Sequence, residues 1–110
     1  MKFSLNILLT GAAGFVGSHI ADALVKKSGF HLTCIVRQPS NVPLGHEVKT
    51  KALGSTEDWT DVLIGQDVII HTAARAHIMK DEVPDALAEY RNVNVDGTLN
   101  LARQAAEAGV

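Results

Sequence analysis

The sequence predicts an α/β fold in which parallel strands take the order 3-2-1-4 and helices flank the sheet. Three observations carry this expectation. The segments 5–10, 30–36 and 67–71 are compact, nearly continuous apolar runs, the pattern of strands buried on both faces. Segments of helical period lie between the runs, so strands and helices alternate along the chain. Right-handed crossovers then fix the strand order.

Each element has a local reason. Leu5 to Thr10 is apolar and stops at Gly11, which makes it the first strand. From Gly14 the period changes, and Val16, Ile20, Ala23 and Leu24 fall on one face of a helix. Lys26 and Lys27 suit the negative end of that helix, with Gly29 as the C-cap glycine. Phe30 to Val36 is a second strand, rich in β-branched and apolar residues. Gln38 to Pro43 is a loop, because its two prolines fix φ and remove donors.

Glu47 to Leu53 alternates and is expected as a weaker third strand. Ser55-Thr56-Glu57-Asp58 supplies capping groups before a short helix through Trp59, Val62 and Leu63, which Gly65-Gln66 ends. Asp67 to His71 is the fourth strand. From about Asp85 to Ala108 a long helix is expected, with Val95, Leu99, Ala102 and Ala106 on one face. Gly97 inside it should weaken it by about 1 kcal/mol relative to alanine. The chain has no internal repeat.

Composition narrows the function classes. The 110 residues amount to one small domain, with 46% hydrophobic and 20% charged residues and a net charge of −2. That balance gives no electrostatic footprint for nucleic acid or an acidic membrane. The single cysteine, Cys34, excludes an internal disulfide framework and any cysteine-rich zinc site. The apolar start around Leu5 to Leu9 has a superficial likeness to a secretory signal, but Asn6 interrupts it. No window approaches the roughly 18 apolar residues of a membrane span. A cytoplasmic protein is expected.

The strongest chemical signal is Thr10-Gly11-Ala12-Ala13-Gly14-Phe15-Val16-Gly17, which joins the first strand directly to the first helix. Gly11 permits a tight turn, Gly14 lets the backbone approach a pyrophosphate, and Gly17 lets the helix sit close. The helix N-terminus then offers free N–H groups and the positive end of its dipole to phosphates. The spacing disfavours a nucleoside-triphosphatase loop, since Gly17 is followed by Ser18-His19 and not by Lys-Ser/Thr.

The Gly-x-x-Gly-x-x-Gly spacing, following Thr10, resembles the short-chain dehydrogenase/reductase superfamily, especially its extended branch of NAD-dependent epimerases and dehydratases. Two further segments carry the resemblance. Asp67-Val68-Ile69-Ile70-His71-Thr72-Ala73-Ala74 is similar to the branch's Asp-x-x-x-His-x-Ala-Ala pattern at the fourth strand. Asn94-Val95-Asp96-Gly97-Thr98-Leu99-Asn100-Leu101 is similar to its Asn-Val-x-Gly-Thr-x-Asn-Leu helix. The likeness is strongest to bacterial nucleotide-sugar 4-epimerases and 4-reductases.

The resemblance implies the N-terminal half of a Rossmann-type, NAD(P)-binding domain over residues 1–110, with the substrate domain absent. It implies that Gly11, Ala13, Gly14, Phe15, Val16 and Gly17 surround the cofactor pyrophosphate. Thr72, Ala73 and Ala74 would line the nicotinamide-side ribose, and Asn94 would support the site from the long helix. The segment Arg75 to Met79 would lie where cofactor meets substrate.

Cofactor choice is an electrostatic question. The second strand ends in Val36-Arg37, with no acidic residue until Glu47. Arg37 therefore favours NADP(H), because a cation neutralises a 2′-phosphate where a carboxylate would accept from a free ribose hydroxyl. An arginine stacked on adenine would serve either cofactor. The branch commonly has an acid after its third strand that reaches the adenine amino group. Here Ala52-Leu53 stand there, leaving Leu53 to pack on adenine.

Other candidates favour structural roles. His71 and His77, with Asp81 and Glu82 nearby, are not expected to bind metal, which needs three or four convergent ligands. His71 is expected to support the loop or the cofactor site. Cys34 is expected as an inert small hydrophobe, and Trp59 and Tyr90 as packing residues.

The resembled family transfers protons with a tyrosine four residues before a lysine, the ammonium lowering the phenol pKa. The only tyrosine, Tyr90, is followed four residues later by Asn94. No catalytic residue is therefore expected in this chain, which would stop about where a fifth strand begins. The fourth strand would be left as an apolar edge, so self-association is expected. Two readings stand at this stage: the cofactor-binding part of a nucleotide-sugar epimerase, dehydratase or reductase, catalytically incomplete alone, or a non-catalytic NAD(P)-sensing module.

Overall fold

The computed structural model describes residues 4–38, 45–74 and 85–110. Four strands form one parallel sheet: β1 (Leu5–Thr10), β2 (Phe30–Val36), β3 (Glu47–Thr50) and β4 (Val68–His71). Their order is β3-β2-β1-β4, the expected one. The register pairs Leu9 with Cys34 and with Ile70, so the central strand is held on both edges. Most of the loop expected at 38–43 and the segment Arg75 to Met79 lie outside the described residues, as do His77, Asp81 and Glu82.

Alternate side chains of β1 and β2 build two cores, because successive residues of a strand point to opposite faces. On one face Ile7, Leu9, Leu32, Cys34 and Val36 pack with Ala21 of α1 (Phe15–Val25). On the other, Leu8 and Ile35 pack with Trp59, with Val62 and Leu63 of α2 (Thr60–Leu63), and with Leu101 and Ala105 of the C-terminal helix. Trp59 is only 1% exposed and is a packing residue, as expected.

Several boundaries and faces differ from the sequence expectation. In α1 the buried residues are Gly17 and Ala21, with Ile20 and Leu24 half-buried, whereas Val16 and Ala23 are exposed. The inward arc is thus centred on the small residues that let the helix approach. The helix ends at Val25 with Lys26 as its C-cap. Gly29 lies beyond, in the left-handed turn that leads into β2. The third strand stops at Thr50 rather than Leu53, and its four residues are exposed. The fourth begins at Val68, and Asp67 instead accepts a hydrogen bond from the backbone N–H of Asn6 at 2.8 Å.

The long C-terminal helix is not uniform. It comprises α3 (Ala86–Tyr90), a wider π segment at Arg91–Gly97, and α4 (Thr98–Ala108). Asp85 caps it by accepting from the Ala88 N–H at 3.0 Å. The expected stripe of Val95, Leu99, Ala102 and Ala106 faces outward, while Asn100, Leu101 and Ala105 are buried. Polar Asn100 turns inward because its Nδ2 donates to the carbonyls of Gly54 and Glu57 at 3.2 and 2.9 Å. Gln104 adds a donor to Glu57 and accepts from the Trp59 N–H. Gly97 has a packing role there: a Cβ on it would lie 3.3 Å from the Gly54 nitrogen.

Candidate functional site

The carboxyl ends of β1, β2 and β4 open on one side of the sheet, and the strand order reverses between β1 and β4. Such a switch point leaves a crevice between the loops that follow neighbouring strands. The glycine loop leaves β1 there, and the 72–74 loop leaves β4.

The two loops touch through glycine. Gly11 has φ +69, the left-handed region, and a Cβ on it would come 2.6 Å from Thr72 Oγ1 and 2.7 Å from the Ala73 nitrogen. A Cβ on Gly17 would overlap the Gly11 carbonyl oxygen. Gly17 therefore seats the first turn of α1 against the loop itself, more than against the sheet. Gly14 has an ordinary extended conformation, φ −77 and ψ 174. The turn is closed by the Gly14 N–H donating to the Gly11 carbonyl at 3.0 Å, and the Ala12 N–H ties it to Ile35 of β2 at 3.3 Å.

Beyond Gly14 the first N–H groups of α1 have no partner within the helix, and the dipole adds positive character there. Phe15 is 82% exposed and Val16 58%, two apolar side chains flanking this entrance. Ala13 and Gly14 are exposed as well.

Thr10 and His71, at the ends of β1 and β4, join the loops from below. Thr10 Oγ1 accepts from the N–H groups of Thr72 and Ala73 at 3.1 and 3.2 Å, and Thr72 Oγ1 donates to the Thr10 carbonyl at 2.6 Å. His71 Nδ1 lies 2.6 Å from Thr10 Oγ1, and Nε2 lies 3.0 Å from Thr98 Oγ1. Burial lowers the His71 pKa. His71 thus supports the loop, as the sequence suggested. The buried Thr10 and the Thr98 hydroxyl were not singled out there. The signal was a threonine ending an apolar strand immediately before the first glycine.

The remaining candidates lie around this crevice to different degrees. Arg37 is exposed just past the end of β2. Leu53 is half-buried and packs on the α4-side core. Asn94 is half-buried in the π segment, and its neighbour Asn92 accepts from the Ser55 N–H at 3.3 Å. A π-type widening inside a helix often marks a functional position. Here it brings the helix backbone up to residues 53 and 54. Cys34 is fully buried, and burial pushes its thiol up to about 11, so it has no thiolate character near neutral pH.

The fold and the sequence are both similar to those of known proteins. A family model described as NAD dependent epimerase/dehydratase family matches residues 7–110. The chain is 38% identical over 109 residues to a UDP-glucose 4-epimerase of Vibrio cholerae, covering 99% of this chain and 33% of that protein. It is 35% identical to a 3-beta-hydroxysteroid dehydrogenase of Mycolicibacterium neoaurum, covering 96% of this chain and 30% of that one. The crystal structure of UDP-glucuronic acid 4-epimerase from Bacillus cereus in complex with NAD superposes with a TM-score of 0.69 at 28% identity. That match covers 91% of this chain and 35% of the other. The chain spans about a third of the length of these two curated relatives. Among the described residues no helix is long and apolar enough to cross a membrane.

Proposed function

The chain belongs to the NAD dependent epimerase/dehydratase family, and from that premise we propose that it is the NAD(P)-binding part of a nucleotide-sugar epimerase, dehydratase or reductase. The observation that carries this is the nesting of Gly11 and Gly17, where added Cβ atoms would strike Thr72 and the Gly11 carbonyl. A loop this tight, opening on the N-terminus of α1 at the β1/β4 switch point, suits a pyrophosphate, which needs N–H donors and close backbone approach.

In this reading Gly11, Ala13, Gly14, Phe15, Val16 and Gly17 form the pyrophosphate cradle. Thr72, Ala73 and Ala74 line the ribose on the nicotinamide side, and Leu53 offers an apolar surface to adenine. Asn94 supports the site from the π segment. The bound dinucleotide would supply the hydride acceptor and donor for reaction at a sugar carbon. The chain's own groups bind and orient it. The 110 residues contain no Tyr-x-x-x-Lys, so we assign them no proton transfer and no turnover by themselves.

Arg37 gives the cofactor preference proposed here. An exposed guanidinium at the end of β2 suits a 2′-phosphate and hence NADP(H). The UDP-glucuronic acid 4-epimerase structure holds NAD, so the two cofactors are compared directly. Titration calorimetry of the chain with each tests the whole reading: one saturable site per chain supports it, and a folded chain that binds neither contradicts it.

The open side of β4 leads to a second part of the proposal, self-association. Among the described strands β4 pairs only with β1. Beside its free edge a groove of about 340 Å³ runs along α4, lined by Ile69, Leu101, Ala105 and Val110 among others. Val95 and Leu99 add exposed apolar surface. Unpaired strand edges next to apolar surface recruit other chains. Light scattering across a concentration series checks this, and a monomer throughout contradicts it. The reading includes a cytoplasmic location, which cell fractionation checks.

A further inference from the structure

The hydrogen-bond roles around His71 can be assigned by counting donors and acceptors. Thr10 Oγ1 has two lone pairs and one hydrogen. Both lone pairs face N–H groups, those of Thr72 at 3.1 Å and Ala73 at 3.2 Å. Its hydrogen is therefore directed to His71 Nδ1, 2.6 Å away. Nδ1 must then be unprotonated, and the neutral ring carries its proton on Nε2, which donates to Thr98 Oγ1 at 3.0 Å.

This chain of bonds fixes the spacing of the crevice. Thr72 Oγ1 and the Ala73 nitrogen, both held to Thr10, are the atoms nearest to where a Cβ on Gly11 would lie. A second proton on Nδ1 would point at an oxygen whose lone pairs are already used. To accept it, Thr10 Oγ1 would have to release the Thr72 or Ala73 N–H. Thr72 would stay tethered to the Thr10 carbonyl through its own N–H and Oγ1, so it is Ala73 and the loop beyond it that would loosen from Gly11.

We propose that His71 is a positioning residue: its neutral ring holds the Thr10–Gly11 turn against Thr72 and Ala73, and its protonation loosens this cradle and weakens dinucleotide binding. The proposal rests on the reading of this crevice as the dinucleotide site. The ring is half-buried yet lines the groove beside α4, so protons from solvent reach it. From β1 it faces Thr10, and from α4 it faces Thr98. The side chains of the other groove-lining residues, Ile69, Leu101, Ala102, Ala105, Ala106 and Val110, are uncharged. Asp96 and Arg103, the charged residues nearest to Thr98 in the sequence, are exposed. Among the described residues no charged group contributes to the lowered pKa of the ring, and burial is its cause.

The test compares wild type with His71→Asn and His71→Leu. Asn places an oxygen near the Nδ1 position and still accepts from Thr10 but does not titrate, whereas Leu removes the acceptor. NAD is the probe, because its pyrophosphate stays ionised between pH 5 and 8. Wild-type affinity should be level above neutrality and fall on acidification, by up to about tenfold per pH unit for one proton. His71→Asn should keep the neutral-pH affinity within about threefold and lose that pH dependence, while His71→Leu should bind at least about tenfold more weakly at every pH. A pH profile shared by wild type and His71→Asn overturns the proposal.

A ligand-free readout separates this proposal from the dinucleotide reading itself. Nitrogen-15 spectra of the imidazole at pH 7.5 should show the Nε2–H tautomer, and the Thr72 and Ala73 amide signals should move with the His71 titration. An Nδ1–H tautomer, or amides that ignore the titration, overturns the proposal even if NAD binds. If the tautomer and amide behaviour are as expected but NAD does not bind, the positioning network stands and the dinucleotide reading fails.

Discussion

A Cβ on Gly17 would overlap the carbonyl oxygen of Gly11. The first turn of α1 can therefore close on the glycine loop only while position 17 lacks a side chain. Gly17→Ala should shift the loop or the helix and destabilise the chain by about 1–3 kcal/mol, the usual cost of overpacking. Urea denaturation measures this, and an unchanged midpoint would show that the loop yields freely.

Gly14 separates folding from binding. Its backbone is extended, and a Cβ there would meet only the Gly11 oxygen, at 3.3 Å. Gly14→Ala should change stability by less than about 1 kcal/mol yet weaken dinucleotide binding by reducing backbone approach to the pyrophosphate. A variant as stable as wild type that binds NAD equally well would remove Gly14 from the cradle.

Arg37→Ala separates the two cofactors. Loss of one charged hydrogen-bond donor to a phosphate should weaken NADPH binding by about 1.5–3 kcal/mol while NADH changes little. Equal affinities for both, untouched by the substitution, would assign Arg37 a purely solvated role.

Stability should carry the mark of His71. Burial holds its pKa in the folded chain below the ordinary value of about 6.5. On acidification below that value the unfolded chain takes up a proton that the folded chain resists. The His71 contribution to stability is thus complete above about pH 6.5 and declines as the pH falls through and below it. Thermal melts of wild type and His71→Asn should differ by a constant offset above this range, set by the lost Nε2–Thr98 bond and ring contacts, and that offset should change only on the acid side.

Trp59 tests the second core. Its indole N–H is buried without a hydrogen-bond partner among the described residues, although its backbone N–H donates to Gln104 at 2.8 Å. Trp59→Phe removes an unpaired donor together with some contact area and should cost about 1–2 kcal/mol, against about 3–5 kcal/mol for Trp59→Ala. Equal losses would mean that the indole N–H is paired in solution.

Strands β1 and β2 were legible to the residue because their apolar runs are buried on both faces and bounded by glycine or charge. The strand order followed from chain order and crossover hand. Helix faces were less legible. Apolar period alone put Val95 and Leu99 inward, but Asn100 and Gln104 are drawn in by the carbonyls of the 54–57 loop, which only the tertiary structure brings to them. The π segment left no mark in the periodicity, since one extra residue per turn merely rotates the face. At the site, the glycine spacing declared itself. The Thr10–His71–Thr98 connection joins three elements distant in sequence and needed the fold to become visible.

Mapping backbone amide shifts during NAD titration of the folded chain shows whether the glycine loop and the loop after β4 together hold a dinucleotide. Saturable shifts concentrated at residues 11–17 and 72–74 are expected. Saturable shifts elsewhere, or none in these two loops, would contradict a dinucleotide site there.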